Sequence, residues 1–286
     1  MTSDRRKQVR LVAVDAGSKA DDDACKTTRW DPDFIERVKD KGWPILKRYF
    51  RAEIHGVDGI PSTGGALLVS NHSGGSLTPD VVLFGSAFYD QFGYERPLFT
   101  LAHSQVFIGP FKQLLGRLGV IHASRDNAAK ALAAGALVLV FPGGDYDAYR
   151  PTLGANVIDF NGRTGYVRAA VDAGVPIVPM VSIGGQETQL FLTRGTGLAK
   201  RLGLGRLRVG IMPISVGFPF GVSAFIPPNV PLPAKITTRV LEPIDVVGLF
   251  GQDPDIDVVD SHVRSVMQDA MNELVRRRRF PFLVES

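Results

Sequence analysis

The stretch from Asn71 to Asp80 carries the most chemistry in the sequence. A short apolar run, Ala66 to Val69, delivers His72 into a glycine-rich turn at Gly74 and Gly75, after which Thr78, Pro79 and Asp80 open a helix. A neutral imidazole titrates near pH ~6.5, so a histidine at a strand end beside a carboxylate takes a proton from a hydroxyl at physiological pH. His72 is therefore the candidate general base, in a layout suited to acyl transfer. The alternative is a turn histidine bonded to its own loop. Asp80 also has two readings: a carboxylate partner folded back toward His72, which Gly74 and Gly75 permit through positive φ angles, or an acidic first-turn residue favoured by the helix dipole alone.

The elements that must position these residues follow from apolar spacing. Short apolar runs predict strands at Leu67 to Ser70, Pro97 to Leu101, Leu137 to Phe141, Ile177 to Val181 and Ile236 to Leu241. Helices fall between them. One has Thr78 as N-cap and Pro79 at N1, a second has Ser124 as N-cap and stops at Gly135, and a third spans Thr164 to Ala173 and stops at Gly174. Strands regularly separated by helices imply an α/β fold, a mixed, largely parallel sheet flanked by helices. Val258, Val259, Val263, Val266, Met267, Ala270 and Leu274 follow helical spacing toward Arg276 to Arg279, cations that suit a helix C-terminus, with membrane affinity as the second reading. Phe218 to Pro233 contains Pro219, Pro227, Pro228, Pro231 and Pro233 and reads as a loop. The expected division is a flexible tail over 1–30, an amphipathic helical arm over 31–53, and a single domain over 54–286. Gly42 and Pro44 divide the arm into two short helices.

A chain of 286 residues with 44% apolar content buries a large core. Cys25 has no partner, which rules out a disulfide framework and fits a reducing compartment. Met1 to Lys26 is charged and carries no apolar stretch long enough for a signal peptide. No run of ~18 apolar residues occurs anywhere, so membrane contact is expected to be peripheral, on the cytoplasmic side. The net charge of +4 is unevenly placed, since no acid lies between Glu187 and Glu242. Arg194, Lys200, Arg201, Arg206, Arg208, Lys235 and Arg239 fall there among Phe191, Leu198, Leu202, Leu204, Leu207, Phe218, Phe220 and Phe225. That mixture suits anionic lipid headgroups or phosphate-bearing ligands, or is a solvated basic face. The arm, with Trp43, Tyr49 and Phe50 among lysines and arginines, either lies at a bilayer interface or packs on the domain. Nucleic acid is not expected, because no zinc-finger spacing, aromatic RNA-binding signature or basic zipper is present. His55, His103, His122 and His262 lack paired ligand spacing, so no metal is expected. Phosphate-binding and dinucleotide-binding glycine loops and the serine-hydrolase elbow are likewise missing.

Four blocks in order resemble the glycerolipid and lysophospholipid acyltransferase superfamily, which includes the 1-acylglycerol-3-phosphate acyltransferases. They are Ala66 to Asp80, Gly119 to Arg125, Phe141 to Asp145, and Val175 to Pro179. The resemblance covers roughly Ile54 to Val275, and Asn161 to Gly165 with Ser182 to Glu187 looks closest to the diacylglycerol-acyltransferase-related branch. Two departures stand out. Seven residues separate His72 from Asp80 where the family pattern has four, and Gly143 stands where the family has glutamate.

The resemblance implies an acyltransferase, transferring groups other than aminoacyl groups, in which His72 with Asp80 activates an acceptor hydroxyl for direct attack on the thioester of acyl-coenzyme A. The acceptor would be a lysophospholipid or other glycerolipid. Acyl-coenzyme A is then a co-substrate, and no resident cofactor is expected. Asn71, Ser73, Arg125, Phe141, Pro142, Gly143, Gly144, Asp145 and Pro179 become the substrate-binding candidates, with Arg125 in the phosphate-binding position. Arg150, Arg163 and Arg168 are further cations. Asp145 either replaces the missing carboxylate or forms a turn. Backbone N–H groups around Ser73 to Ser76 or at Gly143 and Gly144 are the oxyanion donors. A non-catalytic lipid-binding protein on the same fold, and an esterase or thioesterase, are the competing readings.

Overall fold

The computed structural model describes residues 30–75, 78–107, 111–154, 156–204, 210–224 and 229–278. Residues 1–29 of the proposed tail, Cys25 among them, and Ser76, Arg206, Leu207, Arg208, Phe225, Pro227, Pro228 and Arg279 lie outside them, whereas Trp30, which the expected division puts in the tail, is buried in the main core. The chain opens with α1 (Pro32–Tyr49), capped by Asp31, whose side chain accepts from the Phe34 N–H. Where Gly42 and Pro44 predict two helices, α1 runs unbroken through both. An interior proline removes one helical hydrogen bond and crowds the preceding turn, but packing offsets this. Trp43 and Leu46 lie against Phe50, Ala52, Leu83 and Ile236, and Ile35 joins the main core.

Among the described residues ten strands follow, with the remaining helices between them. β1 (Glu53–His55) and β2 (Ala66–Ser70) precede α2 (Pro79–Phe92), then β3 (Leu98–Ala102), α3 (Phe111–Arg117), β4 (Val120–His122), α4 (Arg125–Ala133) and β5 (Leu137–Val140). After these come α5 (Gly144–Ala148), α6 (Gly165–Ala173), β6 (Ile177–Ile183), β7 (Leu190–Thr193) and α7 (Thr196–Arg201). The last elements are β8 (Ile214–Gly217), β9 (Gly221–Ala224), β10 (Thr237–Val240), α8 (Val246–Phe250) and α9 (Ile256–Arg277).

Seven strands form the main sheet in the order β1-β10-β6-β2-β5-β3-β4. All neighbours pair in parallel except β10 with β6. This is the mixed, largely parallel sheet expected. Every residue of β2 and β6 is buried, as central strands covered on both faces must be. Helices α4, α6 and α9 pack on the sheet and on one another, while α1 and α2 pack together against its β1 side. Ser124 caps α4 by accepting the Asn127 N–H, and Gly174 ends α6 in the left-handed conformation. Thr78 is the N-cap residue of α2, but its side chain makes no capping bond.

The segment 218–233 is not wholly a loop. Residues 221–224 form β9, an edge strand of a second, antiparallel sheet ordered β7-β8-β9. The prolines flank this strand rather than interrupt it, and an edge tolerates them.

Candidate active site

Strands β2, β3, β4, β5 and β6 all end at one edge of the sheet, the edge where open parallel sheets place their ligand sites. Asn71 follows β2 there. Its side chain donates to the Ser182 C=O and accepts the Ser182 N–H, both at 2.8 Å, fastening the end of β2 to β6. Asn71 is buried and its amide is spent on this link, so it positions the next residue. The chain then turns through Gly74 at φ +84 and Gly75 at φ +65. A Cβ on either would collide, with Pro79 Cδ at 2.8 Å or with the Phe191 ring at 2.6 Å. Glycine is needed here for both space and conformation.

That turn brings the carboxylate back. His72 Nδ1 lies 3.5 Å from Asp80 Oδ2, with the imidazole 15% exposed and Asp80 4% exposed. Nδ1 is buried and forms no aligned hydrogen bond, so the contact is a close approach of ring and carboxylate rather than a made bond. Asp80 Oδ2 also accepts the Ser73 N–H at 3.2 Å and approaches Ser73 Oγ at 3.4 Å, while Oδ1 takes the Val81 N–H. The partner and first-turn positions proposed for Asp80 are thus occupied by one side chain at once. Phe141, at the end of β5, covers the ring at 4.3 Å between centroids.

Beneath His72 lies a network that the sequence did not reveal. Asp147 Oδ2 accepts the His72 backbone N–H at 2.6 Å, and its Oδ1 accepts from Arg150 Nη2 at 3.0 Å and Nε at 3.2 Å. Gln186 Nε2 donates to the carbonyls of Asp147 and His72. Burial pushes the Asp147 carboxyl above its ordinary value, against the pull of the His72 N–H and Arg150. Gly143 explains how Asp147 fits: a Cβ at position 143 would stand 2.5 Å from Asp147 Cβ. The space beside position 143, where the family's glutamate would begin, holds an aspartate from one helical turn later.

The other candidates distribute as follows. Ser73 is buried against Asp80. Pro142 and Gly143 are buried, and Gly144 at φ +51 opens α5. Asp145 is half exposed and paired with Arg163 at 3.0 Å, so the buried carboxylate of this block is Asp147. Arg163 also donates to the Gly143 C=O. The N–H of Ser73 is bonded to Asp80 and that of Gly144 to the Phe141 C=O, which narrows the oxyanion-donor candidates in the described part of those stretches to Gly74, Gly75 and Gly143. Pro179 is buried inside β6, with its carbonyl accepting from Leu241, a core position rather than a cleft wall. Arg125 opens α4 with its side chain exposed, on the same edge but three strands from β2, about 14 Å at ~4.8 Å per strand. Arg150 is consumed by Asp147, and Arg168 is exposed on α6. Among the described residues no three acidic, histidine or cysteine side chains cluster as a metal site would require.

Comparison with known proteins agrees with this geometry. The acyltransferase family model matches residues 51–183. An uncharacterized protein of Mycobacterium leprae is 32% identical over 240 residues, 82% of this chain and 63% of that protein. The mouse protein described as a DGAT1/2-independent enzyme synthesizing storage lipids is 32% identical over 190 residues, 66% of this chain and 55% of that protein. The chain thus spans less than two thirds of the length of these curated relatives. The crystal structure of the 1-acyl-sn-glycerophosphate (LPA) acyltransferase PlsC from Thermotoga maritima superposes with a TM-score of 0.54 at 16% identity, covering 96% of this chain and 89% of that one, a likeness of fold. With a family model spanning the blocks around His72, Arg125, Phe141 and Pro179, residues 51–183 form a domain of the acyltransferase family.

Proposed function

We propose that this chain is an acyl-coenzyme A-dependent O-acyltransferase that moves a fatty acyl chain to a hydroxyl of a lysophospholipid or other glycerolipid. The observation that carries the proposal is the placement of His72, with Nδ1 held 3.5 Å from the buried Asp80 carboxylate and Nε2 without a protein hydrogen-bond partner among the described residues. Nε2 takes the proton of the acceptor hydroxyl as its oxygen attacks the thioester carbonyl. The tetrahedral oxyanion is met by the remaining backbone donors. Collapse breaks the C–S bond, and the coenzyme A thiolate leaves with the proton held on the imidazolium. Asp80 stabilises that cation while it exists. General-base help of this kind contributes ~10²–10⁴-fold. Arg125, on the same edge, is the cation proposed to meet a phosphate of the donor or acceptor. The paired glycines at 143 and 144 favour a less polar acceptor than relatives with glutamate take, in keeping with the storage-lipid synthesis named for the mouse relative.

The same reading places the protein at an anionic membrane surface on the cytoplasmic side. Among the described residues no helix is long and apolar enough to cross a bilayer. The deciding experiment incubates the protein with labelled acyl-coenzyme A and a panel of lysophosphatidate, other lysolipids, monoacylglycerol and diacylglycerol. New labelled lipid, abolished by His72→Ala in a protein that still folds, is expected. Release of free fatty acid alone would mean a thioesterase, and no turnover of any kind would mean a binding protein.

A further inference from the structure

The second sheet is built with its polarity reversed. Cross-strand partners share a face, so Leu190, Val216 and Val222, with Ile214 and Ala224, form one side, and Phe191, Ser215 and Ser223 form the other. The serine side is the buried one. Ser215 Oγ and Ser223 Oγ share a hydrogen bond of 3.1 Å, Asn229 Nδ2 reaches Ser223 Oγ, and the Phe191 ring lies against Gly75. Apart from Thr193, which stands opposite Ile214, the outward side is apolar, the reverse of the alternation an antiparallel sheet shows when one face meets water. Val222 is 71% exposed, and in the turn joining β8 to β9, Phe218 is 74% and Phe220 53% exposed.

This apolar surface continues beyond the sheet. The Phe218 C=O accepts the Val230 N–H, and the neighbouring Pro231 C=O accepts the Tyr49 hydroxyl. The end of α1, with Ile45 70% exposed, therefore adjoins the turn. Single exposed apolar side chains are ordinary, but a contiguous set marks an interaction surface.

Charge identifies the occupant. Lys47 and Arg48 are exposed at the end of α1, and Lys200 and Arg201 at the end of α7, while no acid occurs between Glu187 and Glu242. An apolar, aromatic-tipped face rimmed by cations of one sign is complementary to an anionic leaflet. A second copy of the chain would bring the same cations and repel.

We propose that the outer face of β7, β8 and β9, with the Phe218 and Phe220 turn, docks the protein on an anionic lipid surface. The inner face of that sheet, through Phe191, packs on the turn that follows His72, so docking brings the His72 loop to the lipid boundary. The proposal deepens the lipid-acyltransferase reading but is tested without it, because docking is measured with no acyl donor present.

The test sediments the full chain at low salt with vesicles of phosphatidylglycerol and phosphatidylcholine, and with phosphatidylcholine alone. Stronger binding to the anionic vesicles is expected, falling at high salt. The variant Phe218→Ser/Phe220→Ser/Val222→Ser should lose at least about tenfold in partitioning, with its thermal unfolding and its turnover of a detergent-dispersed acceptor unchanged. Phe218→Trp supplies a readout that needs no disruptive change: blue-shifted emission, quenched by brominated lipid, is expected over the parent's signal. Vesicle binding unaffected by the triple change, a Phe218→Trp spectrum unmoved by lipid, or a dimer in light scattering that the triple change dissolves would each overturn the proposal. Docking that persists in a protein with no transferase activity would sink the acyltransferase reading and leave this one standing.

Discussion

Asp147 holds His72 by the main chain, its Oδ2 accepting the His72 N–H at 2.6 Å while its Oδ1 is engaged by Arg150. The histidine backbone is thereby fixed by a charge that never touches the ring. Asp147→Asn keeps an acceptor for one donor but leaves the buried Arg150 guanidinium without its counter-charge. Removing one partner of a buried pair typically costs about 3–5 kcal/mol. Urea unfolding should register a loss of that order, and adding Arg150→Met should recover part of it.

Asp80 can be dissected from its loop. Asparagine at position 80 keeps one acceptor oxygen, enough for the Ser73 or the Val81 N–H but not both, and carries no charge to balance an imidazolium. Asp80→Asn should lower kcat by about tenfold or more and cost about 1–3 kcal/mol of stability for the N–H left unpaired. An unchanged kcat would assign Asp80 to holding the turn alone.

Gly143→Glu restores the family's usual residue and should harm this chain. Its Cβ would meet Asp147 Cβ at 2.5 Å, so Asp147 must move and the His72 N–H loses its acceptor. Overpacking of this kind costs about 1–3 kcal/mol. Chemical denaturation and activity should both fall, and a protein as stable and active as the parent would refute this account of the paired glycines.

Acid sensitivity should appear at the start of α1. Burial alone would raise the Asp31 carboxyl, but the Phe34 N–H and the Arg117 and Arg37 guanidiniums together outweigh it and hold the group below its ordinary value. A depressed carboxyl contributes stability above its unfolded pKa of about 3.9, and that contribution is lost as pH falls through the folded value. Asp31→Ala should be less stable than the parent by about 1 kcal/mol at neutral pH. The gap should close as pH falls below the ordinary carboxylate value and through the depressed folded one, measured by unfolding across a pH series.

The centre of the sheet was legible because β2, β5 and β6 are covered on both faces and so read as unbroken apolar runs. β1 and β4 escaped notice because they are three residues long and include Glu53, His55 and His122. The β7, β8 and β9 sheet was hidden by its prolines and by serines that point inward. In the site, His72 and Asp80 could be picked from type and spacing and Phe141 from the family resemblance, and the structure brings the three together. Asp147 and Gln186 could not, since they lie 75 and 114 residues from His72 and only the fold supplies the proximity. Pro44 carried a true local signal that packing overrode.

The turn at Gly185 touches Ser73 so closely that a Cβ there would strike Ser73 Oγ. Glu187, in the same turn, is gripped at 2.6 Å by Arg278, just beyond α9. On the ribosome, a nascent chain emerging from its N-terminus would have His72, Asp80 and Asp147 in hand long before that arginine appears. The clamp on the turn that closes the floor under Ser73 is thus supplied by a residue made only after α9, far downstream of His72.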